Sequence, residues 1–174
     1  MKVLAYHGGT PTSESVKRKC SPIPRTKWNQ NFDGDALNTV GGWFTEDIGV
    51  AESYADPRGK EPVWEAWLEA DENEILAFDC KGAPWNEIHI QGKTYDLDEL
   101  ASYAAGEGFK AARFENVKDI GPYSAGGIPA TANSYCVFDP GVISGIKKMD
   151  NALYENIYME SLFQNILSLS STAT

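Results

Sequence analysis

Residues 2–10 read KVLAYHGGT and residues 41–55 read GGWFTEDIGVAESYA, and the fold turns on these two stretches. The first is an apolar run over residues 2–6 that ends at His7-Gly8-Gly9-Thr10. That pattern predicts a strand entering a glycine turn. The second opens on glycines and gives a short aromatic strand, Trp43-Phe44-Thr45. Glu46 and Asp47 then supply acids where a helix begins, and Val50, Ala51, Tyr54 and Ala55 mark one helical face. Asp56-Pro57-Arg58-Gly59 stops that helix.

Outward from these stretches, residues 11–36 hold no clear periodicity and are rich in Pro, Ser, Asn and Asp, so a long loop is expected. Residues 63–69 and 74–79 predict two strands or one bent strand, and residues 85–90 are ambiguous. Residues 96–105 predict a helix capped by Asp96 and stopped at Gly106 to Gly108. Strands are expected over 109–114 and 134–139, with a Gly/Pro-rich loop over 115–129 and an apolar run over 142–146. Residues 150–167 place Leu153, Tyr154, Ile157, Tyr158, Leu162, Ile166 and Leu167 at helical spacing. That C-terminal amphipathic helix either packs on its own core or meets a partner or second copy. The class is α+β, with two small packed β-sheets and flanking helices.

The chain has 174 residues, about one domain. The expected division is a domain over 1–149 and the helix with its polar tail over 150–174. Fifteen basic and twenty-five acidic residues leave a net charge of −10, which disfavours passive binding to a nucleic-acid backbone. Lys17, Arg18, Lys19, Arg25 and Lys27 nevertheless give five positive charges with no acid between 17 and 27. A solvated loop and a phosphate-contacting loop both fit that run. No apolar stretch is long enough to span a membrane. The three cysteines, Cys20, Cys80 and Cys136, form no close pair, so a reduced cytoplasmic protein without a disulfide scaffold or metal site is expected. Cys136 lies in an apolar strand, the setting of an inert thiol.

No phosphate-binding loop, dinucleotide-binding glycine motif or serine nucleophile elbow is present. His7 stands out instead, because it ends a strand and small residues follow it. Gly8 and Gly9 would let a ligand approach the backbone, whose N–H and C=O groups suit a carboxamide. Tyr54 reads either as core or as an aromatic platform for a ligand.

The order of AYHGGT, GGWFTEDIGVAESYA, GFKAARFENVKD and SYCVFDPGVI, from about residue 3 to 146, resembles the ADP-ribosyltransferase fold. It is most similar to the small ADP-ribosyltransferase-like domains of polyvalent phage proteins. These resemble the diphtheria-toxin and poly(ADP-ribose) polymerase branch, with its His, Tyr, Glu pattern. The resemblance implies an NAD-dependent mono-ADP-ribosyltransferase of phage or bacterial origin, acting on a host protein or nucleic acid in the host cytoplasm. It implies that His7 bonds the nicotinamide-side ribose and that Gly8 clamps the carboxamide. Gly9 and Thr10 complete that first motif. Trp43 falls at the second-motif Tyr, with Phe44 after it. Ala51 falls where the polymerase branch has a Ser that reaches the carboxamide, and Tyr54 matches the Tyr that stacks on nicotinamide. Ser134 falls at or next to the catalytic Glu position, and Asn133 is a substitute that could hydrogen-bond in the same way.

The chain departs from that pattern in three ways. HGGT carries one glycine more than the usual motif, Trp replaces Tyr, and the third-motif Glu is missing. Loss of one preorganised electrostatic group costs on the order of 10²–10³ in rate. Single transfer, weak NAD cleavage or binding only is therefore expected, rather than polymer synthesis. The alternative is a weak or inactive relative that binds a nucleotide or a protein. Glu46, Asp47 and Glu52 are substitute acids, with helix-dipole matching and solvation as their simpler role.

Overall fold

The computed structural model describes residues 1–24, 40–58, 60–124 and 131–149. The expected helix over 150–167, its partner contact, and Arg25 and Lys27 of the basic run lie outside the described residues. In chain order the elements are β1 (Lys2–Gly8), α1 (Ser13–Lys19), β2 (Gly42–Thr45), α2 (Ile48–Ser53), β3 (Val63–Glu69) and β4 (Ile75–Asp79). They continue with β5 (Ile88–Ile90), β6 (Lys93–Tyr95), α3 (Leu97–Gly106), β7 (Ala111–Lys118), β8 (Thr131–Val137) and β9 (Ile143–Lys148).

The class is α+β. Seven strands form one mixed sheet in the order β4-β7-β8-β2-β1-β3-β9, and β5 with β6 makes a separate hairpin. The expectation of two small packed sheets is corrected here to one large sheet and a hairpin. The sheet is nevertheless divided in the middle. β1 pairs with β3 at every position from Lys2 to Gly8, whereas it meets β2 only at Tyr6 and Thr45. Beyond that pair the two strands diverge, and side chains rather than a ladder bridge the gap.

Alternation along the strands sends residues to both faces. Ala5, Phe44, Ala66, Leu68, Tyr135 and Val137 build one cluster with Val16 of α1. Phe114, Cys136 and Phe138 build another, against Leu97, Leu100, Ala101 and Ala104 of α3. α3 crosses between the parallel pair β4 and β7. Its start follows from a capping box, in which Asp96 accepts from the Glu99 N–H and Glu99 reaches back to the Asp96 N–H.

Two expectations along the chain are corrected. The loop read over 11–36 contains α1, whose single buried residue, Val16, leaves no periodic signal. The local signal is the cap, because the Thr12 side chain accepts from the Ser15 N–H, and Lys17, Arg18 and Lys19 oppose the helix dipole in the last turn. β7 also runs to Lys118, beyond the expected end at 114. A register shift between Phe114 and Val117, with Asn116 at φ 55°, hides the alternation.

Candidate functional site

The divided middle of the sheet opens into a cleft of about 600 Å³. His7, Gly8 and Gly9 from the end of β1, Trp43 and Phe44 from β2, and Ser134 from β8 line it. Ala51 and Tyr54, from α2 and its C-terminal cap, form a second wall. Of the residues matched to the three motifs, His7, Gly8, Gly9, Trp43, Phe44, Ala51, Tyr54 and Ser134 reach this cleft, whereas Thr10 sits behind His7 and Asn133 is not among its lining. Ala51 and the C-cap Tyr54 stand three residues apart on the same side of α2, which starts where the Asp47 side chain accepts from the Val50 N–H.

His7 is 5% exposed and both ring nitrogens have partners. Nδ1 lies 2.6 Å from the Trp43 carbonyl, which only accepts, so Nδ1 carries the proton. Nε2 lies 2.6 Å from Thr10 Oγ1 and accepts its hydroxyl proton. The Lys19 ammonium donates to the same hydroxyl oxygen at 2.6 Å. The ring packs 5.4 Å from Phe44. His7 thus joins β1 to β2 where the backbone ladder stops, and a ligand hydroxyl reaching Nε2 takes the place of Thr10. Thr10 itself is fixed by its carbonyl, which accepts from the Trp64 indole at 2.7 Å.

The glycines of the first motif serve the second wall. A Cβ on Gly8 would lie 1.8 Å from the Ala51 carbonyl oxygen, and one on Gly9 would lie 2.4 Å from that of Tyr54. Gly9 also holds φ at 81°, a conformation that favours glycine. The space these residues leave admits α2, where the sequence suggested room for a ligand.

Ser134 is 1% exposed, and its Oγ has no hydrogen-bond partner among the described residues. Such an orphan is uncommon and costs about 1–3 kcal/mol. It lines the cleft in the middle of the sheet, opposite Thr45 and Phe114. Glu46 and Asn133 point to a different task. The Tyr135 hydroxyl bonds Glu46, whose carboxylate also takes Asn133 Nδ2 at 3.3 Å. Burial, reinforced by that carboxylate, holds the Tyr135 hydroxyl above its ordinary value. Asp47 is committed to the α2 cap. Glu46, Asp47 and Glu52 do not line the cleft. All three cysteines are buried and unbridged. Burial, with Asp79 and Glu115 nearby, pushes the Cys80 thiol up to about 11.

Three charged residues line the cleft: Lys19, Asp98 and Asp119. Lys19 was visible only as part of a basic run. Asp119, Asp98 and Trp85 were missed, because each follows or opens an element with no local motif to mark it. The Tyr54 hydroxyl donates to Asp119 Oδ1 at 2.5 Å. Gly121 N donates to Ser53 Oγ at 2.6 Å, which ties the segment after β7 to the end of α2. Burial raises the Asp119 carboxyl above its ordinary 3.8, although the Tyr54 hydroxyl and the Ile120 N–H favour its anion. Burial and the Asp119 charge likewise raise the Tyr54 hydroxyl.

The sign of the linkage follows. A carboxyl raised in the folded chain adds stability that is full below the unfolded value and is lost as pH rises through the folded value. Asp119→Asn keeps the uncharged state at every pH. Thermal melts are therefore expected to show a higher Tm for the variant at pH 7, with the gap closing toward pH 3. A variant melting below wild type at pH 7 would contradict this.

Comparison of the chain with protein-family models, with curated proteins and with solved structures returns no match. Among the described residues no helix is long and apolar enough to cross a membrane, and no group of three or more metal-ligating side chains forms.

Proposed function

We propose that the cleft binds NAD and that the protein, of phage or bacterial origin, transfers a single ADP-ribosyl group from it to a protein or nucleic acid of a host. The observation that carries this reading is the convergence of His7, Gly8, Trp43, Phe44, Ala51, Tyr54 and Ser134 on one cleft, although they lie up to 127 positions apart in the chain. The orphan Ser134 hydroxyl supports it, since a ribose hydroxyl is a suitable partner. The cleft's charges also suit NAD, with Lys19 for a phosphate and carboxylates for a cationic ring.

Cleavage of the glycosidic bond expels neutral nicotinamide and leaves positive charge on the ribose. The cleft's task is to hold the ring, fix the sugar and tolerate that charge. Ser134 brings a hydroxyl and no charge to the sheet wall. That observation favours a second reading, a slow or inactive relative that binds a nucleotide or a protein partner.

The deciding experiment is nicotinamide release from NAD by purified protein, with and without host lysate, beside calorimetric NAD binding. Release that increases with lysate supports transfer to an acceptor, and the labelled species identifies it. Binding without release supports the second reading. Absence of both overturns the NAD reading. Ser134→Ala adds a sharper check. It is expected to raise the unfolding free energy of the unliganded chain by about 1 kcal/mol, because an unpaired hydroxyl is removed. It should also weaken NAD binding about tenfold, the loss of one good hydrogen bond. Opposite signs in denaturation and calorimetry mark a hydroxyl reserved for ligand; equal signs would sink that role.

A further inference from the structure

We infer that Asp119, held by the Tyr54 hydroxyl, is the group with which this cleft recognises positive charge on the ring of its ligand. The inference rests on the NAD reading above and adds to it a named charge-sensing residue.

The first observation is placement. Asp119 is buried, 7% exposed, yet lines the cleft beside Tyr54 and Asp98. A carboxylate is costly to bury unless something compensates it. The Tyr54 hydroxyl at 2.5 Å and the Ile120 N–H supply two donors, and among the described residues no ion pair to Asp119 occurs within 4.0 Å. Lys19, the cleft's cation, is turned to Thr10. Asp119 therefore holds its place beside Tyr54 by hydrogen-bond donors and not by an ion pair among the described residues.

The second observation is the aromatic surface. Tyr54 is 41% exposed and Trp85 is 42% exposed, and both line the cleft. Cations bind over such faces. A phenol whose proton is shared with a carboxylate has a more electron-rich ring than a free one. The Tyr54–Asp119 pair thus offers a stacking face and a charge to the same ligand ring.

The third observation is the far wall. The orphan Ser134 hydroxyl is buried, faces the cleft and carries no charge. The wall carrying Tyr54 and Asp119 thus sets an anionic group beside an exposed aromatic face, and the Ser134 wall brings no carboxylate.

NAD+ and NADH are a suitable probe pair, since they differ chiefly by one positive charge on the nicotinamide ring. Calorimetry on the full chain is expected to give NAD+ about tenfold tighter binding than NADH. Asp119→Asn is nearly isosteric, and its amide oxygen still accepts from Tyr54. In that variant the two affinities are expected to lie within about twofold of each other. A structural role would weaken both ligands equally and leave their ratio alone. Should Asp119→Asn fail to fold, Asp119→Ser, smaller and uncharged, carries the same expectation. A preference that survives in the variant, or one absent from wild type, overturns the assignment of Asp119 while leaving NAD binding intact. Binding of neither dinucleotide overturns the NAD reading, and this inference with it.

Discussion

Gly8→Ala is expected to lower the unfolding free energy by at least about 3 kcal/mol and to abolish ligand binding in the cleft. Gly8 ends β1 against α2. The added methyl would lie 1.8 Å from the Ala51 carbonyl oxygen, 2.9 Å from its carbon and 3.3 Å from the Ala55 nitrogen. All three are backbone atoms, so no side-chain rotation relieves the clash. α2 must move off the sheet, taking Ala51 and Tyr54 out of the wall they form. Gly82→Ala is the matched control, because a methyl there meets nothing within 4 Å and only the positive φ of 78° opposes it. That control should cost about 1 kcal/mol. Urea denaturation of the two variants measures the difference. Equal midpoints would mean that α2 does not press on β1 at Gly8.

The second large effect is expected at His7→Ala. Its ring is buried, bonded at both nitrogens and packed on Phe44. Removing it strands the Trp43 carbonyl and leaves a void beside Phe44. A loss of about 2–4 kcal/mol follows from two buried hydrogen bonds and the lost packing. Nicotinamide release should fall by about 10²–10³, because the ring positions both the strand that carries Trp43 and the hydroxyl partners of the sugar. His7→Asn, which keeps one bond to the Trp43 carbonyl, should recover stability ahead of activity. A His7→Ala variant that releases nicotinamide at the wild-type rate would remove His7 from the chemistry.

Both residues were legible in the sequence, for reasons that differ. β1 announced itself by an apolar run, and α2 and α3 by acids at their N-terminal ends and glycines or Pro beyond their last turns. These are local signals. Which side of β1 the glycines served was not local. HGGT states that side chains are absent at 8 and 9, and only the fold shows that the backbone of α2 fills the space. The single sheet was missed because strand order is set by long-range pairing. β2 and β8 lie about ninety residues apart, and nothing in GWFT names SYCV as its neighbour. Asp119 illustrates the same limit. It follows β7 as one acid among twenty-five, and burial beside Tyr54, 65 positions earlier, gives it its character. Conversely, Glu46 and Asp47 looked like candidate acids in the sequence, and the structure commits them to Tyr135 and to a helix cap.

A sheet joined at one residue pair does not behave mechanically as one plate. Twist and strain pass between hydrogen-bonded neighbours along a full ladder, and here the ladder is interrupted between β1 and β2. On one side β1, β3 and β9 form a three-stranded leaf; on the other β2, β8, β7 and β4 form a four-stranded leaf stiffened by α3. Across that interruption the leaves share one backbone pairing, Tyr6–Thr45, the His7 bond to the Trp43 carbonyl, and the apolar cluster of Ala5, Phe44, Ala66 and Tyr135. Side-chain bonds and packing, in place of a backbone ladder, therefore couple the two leaves, and that seam runs through the residue that the sequence marked first.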